Sequence, residues 1–220
     1  MPVFEEQNKL FALVGRKCKR IECLVIGGSA MLFYAFSKTA TNDIDIVSHN
    51  EEDRKHLVNV LEKAGFKKES SPKESGEPYR FSMKDYSLNV FAEDIHGMKT
   101  SPGLLGRIKE KVEFGGLTIS VIAPEDIILT KCVTDRKGDR EDAMGIIKEY
   151  NVKWDLVLQE ARWQTENGDK AFTVYLYDFL EDLKEMGAEV PKEVLRKVRK
   201  ISEEEMLKVL KSKRGNVSSK

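Results

Sequence analysis

Residues 24–47 read LVIGGSAMLFYAFSKTATNDIDIV. An apolar run, Leu24-Val25-Ile26, stops at Gly27-Gly28-Ser29, and a later stretch reads Asp43-Ile44-Asp45-Ile46. Residues two apart on a strand point the same way. Asp43 and Asp45 therefore share one face, roughly 6.6 Å apart along the strand. Ile44 and Ile46 face the opposite side, into a core. Two carboxylates on one face of a buried strand repel each other and are costly unless a cation or a strong donor compensates. The pattern predicts a strand over 21–26, a sharp turn, an apolar helix over 29–38 and a second strand over 43–48.

The two halves of this stretch suit one ligand. Mg²⁺ is a hard cation that takes a few carboxylates and fills its shell with water and phosphate oxygens. Gly27, Gly28 and Ser29 offer backbone N–H groups and a hydroxyl at a helix start, a place for phosphates. A metal-bound nucleoside triphosphate would use both. The stretch is neither a P-loop, since no Gly-Lys-Ser/Thr follows, nor a dinucleotide fingerprint, since G-x-G-x-x-G is absent. Either feature alone is weak, because Gly-Gly after a strand and a lone D-x-D are both common.

The rest of the chain reads as support. An amphipathic helix is expected over 4–17, with Leu10, Phe11, Leu13 and Val14 inside. Asn50 caps a helix over 51–64, which Gly65 ends. Short strands follow at 66–70, 79–84 and 86–92, then a short helix near 102–110 and a hairpin of 112–114 with 117–122. From Pro124 onward the pattern is helical: 124–134, 139–150, 154–166, 170–187, 191–200 and 202–212, the last opened by a Ser202–Glu205 capping box. The fold class expected is α/β (α+β): a short mixed sheet with helices, followed by an all-helical part. The domains expected are 1–123 and 124–212, with a disordered tail over 213–220.

Composition narrows the function. Lys plus Arg and Asp plus Glu each number 37, so no global basic field argues for nucleic-acid binding. Three cysteines without paired spacing read as reduced thiols in a cytoplasmic protein. No apolar run is long enough to span a bilayer, so no membrane partner is expected.

Gly27-Gly28-Ser29 followed by Thr41-Asn42-Asp43-Ile44-Asp45-Ile46 resembles the signature of the DNA polymerase β-type nucleotidyltransferase superfamily. The wording is closest to its minimal bacterial and archaeal members, such as AbiEii-like toxin nucleotidyltransferases. Lys131 to Ile147, KCVTDRKGDREDAMGII, is similar to the helical segment such proteins carry after the sheet. The resemblance covers about 24–150. It implies transfer of a nucleoside monophosphate from an NTP to a hydroxyl acceptor, with release of pyrophosphate. Gly27, Gly28 and Ser29 would hold the triphosphate, Asp43 and Asp45 two Mg²⁺ ions, and Lys131 would neutralise the departing phosphates. A solvated helix lysine is an equal reading of Lys131. The acceptor would be RNA, a protein or a small molecule, and a toxin-type enzyme would have a cognate antitoxin or partner protein.

One departure matters. The superfamily places a third carboxylate on a later strand, and the matching position holds Asn89, whose amide cannot take a proton. Glu93 lies on the same face if the strand continues, roughly 13 Å further along. Three accounts stay open: Glu93 or Asp94 is the true partner, transfer is slow, or the chain is a catalytically degenerate nucleotide- or partner-binding module. The histidines His49, His56 and His96 read as surface or core residues. Arg136, Lys137 and Arg140, mixed with Asp135, Asp139 and Asp142, read as a salt-laced turn or a lining of the nucleotide cleft.

Overall fold

The computed structural model describes residues 3–34 and 36–217, with side chains described through Lys208. In chain order the elements are α1 (Phe4–Gly15), β1 (Ile21–Val25), α2 (Gly27–Met31), β2 (Asp43–Ser48), α3 (Glu51–Lys63), β3 (Lys67–Ser70), β4 (Tyr79–Met83) and β5 (Tyr86–Phe91). Next come β6 (Asp94–Ile95), β7 (Met98–Lys99), α4 (Pro102–Gly106), β8 (Glu110–Phe114) and β9 (Leu117–Val121). The helices α5 (Pro124–Cys132), α6 (Lys137–Glu149), α7 (Trp154–Asn167), α8 (Phe172–Glu185) and α9 (Lys192–Val217) complete the chain.

Strands pair in the order β3-β4-β5-β2-β1-β9-β8. β2 runs parallel to β5 and antiparallel to β1, and β1 runs parallel to β9. The sheet is thus mixed, as expected. Its centre is β2, whose burial alternates as the sequence predicts: Ile44 and Ile46 are at most 1% exposed, while Asp43 and Asp45 are half-buried. Leu24, Leu88, Val90 and Ile119 continue the core on the neighbouring strands. The edge strand β3 is exposed throughout and begins with two lysines, which discourages pairing with another chain.

Every residue of α5 is buried. A helix enclosed on all sides has to satisfy its polar groups internally. Glu125 accepts a bond from the Lys153 N–H at 3.0 Å, Thr130 donates to the Ile127 carbonyl at 2.8 Å, and Asp126 pairs with Arg107. α5 packs against α2 on one hand and against α6, α7 and α8 on the other. It thereby joins the sheet to the helical part.

Two helices differ from expectation. α2 ends at Met31 instead of continuing to 38. Beyond it the Tyr34 hydroxyl donates to the Ile122 carbonyl at 2.7 Å, and Ser37 bonds the Glu149 carboxylate through its N–H at 2.7 Å and its hydroxyl at 2.5 Å. These long-range bonds tie Tyr34 to the end of β9 and Ser37 to α6, and override an apolar sequence that favours helix. At the other end, α9 runs unbroken through Ser202, where a new helix was expected, and on through 213–217, expected as disordered tail. The apolar series Val194, Leu195, Val198 and Ile201 keeps helical spacing across that point, with no Pro or Gly to break it. Residues 218–220 of the expected tail lie outside the described residues.

Candidate active site

The turn after β1 is tight because it must be. Gly27 has φ +57, and a Cβ there would lie 3.3 Å from Asp45 Oδ2. A Cβ on Gly28 would fall 2.5 Å from Thr41 Oγ1 and 3.1 Å from Lys38 Cε. The two glycines let β2 and the connector before it close onto the turn. The first N–H groups of α2 have no partner within the helix.

Ser29, expected to hold phosphate, faces β2. Its side chain is fully buried, donates to the Asp43 carbonyl at 2.9 Å and accepts from the Asp45 N–H at 3.2 Å. The hydroxyl is excluded from solvent and engaged in both directions by β2. It clips α2 to the strand that carries the aspartates. Gln7 of α1 holds the same residue from behind, donating to its carbonyl at 3.2 Å.

The β2–β5 register sets Ser87 beside Asp43 and Asn89 beside Asp45. The Asn89 amide is buried and donates to Asp45 Oδ1 at 2.8 Å. Asn89 therefore occupies the position on the next strand where a third carboxylate was sought. Glu93 is exposed, beyond the end of β5, and lines neither cleft at the aspartates. Asp94 is spent on its own turn, accepting from the Gly97 N–H at 2.7 Å. Burial raises the Asp45 carboxyl above the ordinary range; the Asn89 bond opposes this, nearby Asp43 adds to it, and the charges of Lys131 and Arg136 oppose it. Among the described residues, neither aspartate has a Lys or Arg within salt-bridge distance.

Two clefts meet at these aspartates. One, of about 100 Å³, runs past Arg80, Asn89, Phe91 and His96. The other, of about 410 Å³, runs past Gly28, Lys38, Thr41 and Asp142. Asp43, Asp45, Lys131 and Arg136 line both. Lys131 is not a solvated lysine: it is 6% exposed, and its ammonium donates to Asp139 at 2.5 Å and Asp142 at 2.8 Å. Asp142 also takes Lys38 at 2.6 Å, and Asp139 takes Arg136 at 2.8 Å and the Thr134 hydroxyl. Of the mixed cluster on α6, then, Arg136, Asp139 and Asp142 line a cleft, whereas Arg140 turns away to Asp182 at 2.7 Å.

Lys38, Thr41, Arg80 and His96 were not singled out from the sequence as site residues. The first two lie within five residues of Asp43, and that proximity was a usable signal. Arg80 comes in only through the β4–β5 register, which sets it beside Asn89.

Among the described residues no three His, Cys, Asp or Glu side chains converge on one point as a metal cage. Two half-buried carboxylates without a cationic partner, with a buried amide beside them, fit an ion that draws the rest of its shell from water and phosphate oxygens.

The wider likenesses are these. A Helicobacter pylori protein of known structure, JHP933, is 15% identical with a TM-score of 0.43, over 97% of this chain and 95% of that one. An antigenic nucleotidyltransferase-like protein from Paracoccidioides brasiliensis is 16% identical with a TM-score of 0.49, over 88% of this chain and 94% of that one. No curated protein matches. The family described as "Nucleotidyltransferase of unknown function (DUF6036)" matches residues 3–175, which takes in the whole sheet, both clefts and the helices through α7. With most of its length matched, the chain belongs to that nucleotidyltransferase family.

Proposed function

We propose that the protein is a Mg²⁺-dependent nucleotidyltransferase that moves a nucleoside monophosphate from an NTP to a hydroxyl acceptor and releases pyrophosphate. The observation that carries this reading is the pair Asp43 and Asp45, short of cations and placed where two clefts meet beside the Gly27-Gly28 turn. Mg²⁺ at these carboxylates would neutralise charge on the reacting phosphate and orient the attacking and leaving oxygens. The cleft past Gly28 takes the triphosphate: Lys38, Lys131 and Arg136 supply positive charge along its wall, and the α2 amides sit at its end. Lys131 does this as a fixed group, held in place by Asp139 and Asp142. The cleft past Asn89 takes the acceptor. Gly27 and Gly28 act by close approach, and Ser29 by positioning β2.

A toxin role of the AbiEii-like kind, with RNA or a protein as acceptor and an antitoxin as partner, is the narrower form of this proposal. The free thiols of Cys23 and Cys132, both buried, accord with a cytoplasmic setting, and among the described residues no helix is long and apolar enough to cross a membrane. A second reading rests on Asn89. With an amide in place of the third carboxylate, the chain would bind nucleotide or a partner without transfer.

Titration calorimetry with each NTP, with and without Mg²⁺, tests the site. Mg²⁺-dependent binding is expected for the native protein and its loss for Asp43→Ala/Asp45→Ala; binding that survives the double substitution would sink the assignment. NTPs labelled at the α-phosphate, incubated with Mg²⁺, total RNA and protein extract, separate transfer from binding alone.

A further inference from the structure

The acceptor cleft lacks the carboxylate that would take the acceptor's proton, yet it has one side chain suited to that work. Of the groups lining it, the arginines stay charged, Lys131 is locked as an ammonium between two acids, and Asp43 and Asp45 are reserved for the metal in the proposed function. The Asn89 amide cannot accept a proton. His96 is left.

His96 is also held in an unusual way. It lies in the two-residue loop between β6 and β7, where His96 and Gly97 have φ of 52° and 92°. Positive φ at both central residues marks the hairpin turn that favours Asn-Gly. Three contacts lock the loop: Asp94 accepts the Gly97 N–H, the His96 N–H donates to the Gly76 carbonyl at 3.3 Å, and the His96 ring meets Phe91 edge-on with centroids 5.3 Å apart. The turn accounts for the left-handed backbone, as it does at Lys84 in the β4–β5 turn, and the three contacts keep His96 in the wall of the cleft. A charged imidazole would be useless as a base. Burial, with help from Arg136 and Arg80, lowers the His96 pKa below its ordinary 6.5, against the weaker opposing pull of Asp94 and Glu77, so the ring is neutral at neutral pH.

We propose that His96 is the general base of the acceptor cleft, standing in for the carboxylate missing at Asn89. The inference rests on the nucleotidyl-transfer reading above. As the acceptor oxygen bonds to the α-phosphorus, its proton passes to the unprotonated ring nitrogen of His96. The bond from that phosphorus to the bridging oxygen breaks, and pyrophosphate leaves with the electron pair. His96 then returns its proton to water.

The turn supplies a clean test, because Asn is at home in its left-handed position. In the full-length protein, His96→Asn is expected to keep the native melting temperature and the native Mg²⁺-dependent NTP affinity. Incorporation of α-phosphate label from NTPs into total RNA or extract protein is expected to fall at least about 100-fold at neutral pH. The native rate is expected to rise with pH along an acid limb whose midpoint lies below 6.5, and this limb is expected to vanish in His96→Asn. Asn89→Asp in the His96→Asn background, which restores a carboxylate beside Asp45, is expected to recover transfer. An unchanged rate in His96→Asn, or an acid limb that persists there, overturns the assignment of His96 while the transfer reading stands. Native protein that binds NTP but labels no acceptor overturns both.

Discussion

Two clusters of acidic side chains in this protein are built in opposite ways. Where α4, α5 and α7 meet, Asp126 and Glu160 are buried, with Arg107 between them. Arg107 donates to Asp126 through Nε at 3.0 Å and Nη2 at 2.5 Å, and to Glu160 at 2.5 Å. Ser101 and Gln164 donate to the oxygens of Glu160 at 2.8 and 2.9 Å. At the meeting of the clefts, the Asn89 amide is the one side-chain donor that Asp43 and Asp45 have between them among the described residues. The first cluster is closed on itself, with each charge matched by a donor. The second stands open beside space large enough for a ligand. Buried charge that is matched internally holds helices together. Charge left short of a partner on a cleft wall is compensated only when something binds, which is why the proposed function is built on the open cluster and not on the better-ordered closed one.

The largest expected effect falls on the closed cluster. Arg107→Met strips the cation from two buried acids and should cost about 3–5 kcal/mol in urea denaturation. A loss no larger than a surface substitution's would erase the contrast. Ser29→Ala comes next. It leaves the Asp43 carbonyl and the Asp45 N–H without their shared partner and should cost about 1–3 kcal/mol by the same measurement. By contrast, Asp43→Ala/Asp45→Ala should leave the stability of the ligand-free protein unchanged or raised, since it removes mutual repulsion. The extra thermal stability that NTP with Mg²⁺ gives the native protein should disappear; a large fall in unliganded stability would mean that these acids serve the fold.

The smallest effect concerns pH. Burial works against the charge on Asp139, but Lys131, Thr134 and Arg136 outweigh it, and its pKa is lowered below 3.8. A carboxylate with a depressed folded-state pKa stabilises above the unfolded value and loses that contribution as pH falls through the folded one. Melting temperatures from pH 5 downward should therefore drop less steeply in Asp139→Asn than in the native protein, in the region below 3.8. Parallel curves would show that the Lys131 network contributes nothing there.

Much of the centre of the molecule was legible in the sequence. The alternation of Asp43, Ile44, Asp45 and Ile46 comes from backbone geometry, and the strand keeps it. Asn50 caps α3 as read, accepting from the Asp53 N–H at 2.8 Å. The passage from mixed structure to helices after β9 was also legible, because Pro124 and the change of apolar period mark it. The end of α2 was not, since Tyr34 finds its partner at Ile122, 88 residues away. The Ser29 hydroxyl's bonds to β2 were not legible, because a hydroxyl at a helix start serves a phosphate or a neighbouring strand equally well. Lys131 read equally as a solvated helix lysine or as a partner for phosphates, and only the fold shows α6 setting two acids against it.

By itself, then, the sequence determined what depends on neighbours along the chain: a turn that only glycines permit, two carboxylates on one face and a capped helix. The tertiary structure alone decided which distant side chains share the site. Strand register set Asn89 against Asp45, α6 placed Asp139 and Asp142 on Lys131, and the hairpin brought His96 to the cleft past Asn89. The physical reason is that local geometry follows from covalent and steric rules acting over a few residues. The meeting of distant charges depends on packing, where burial determines what each charge costs and which partner can offset it.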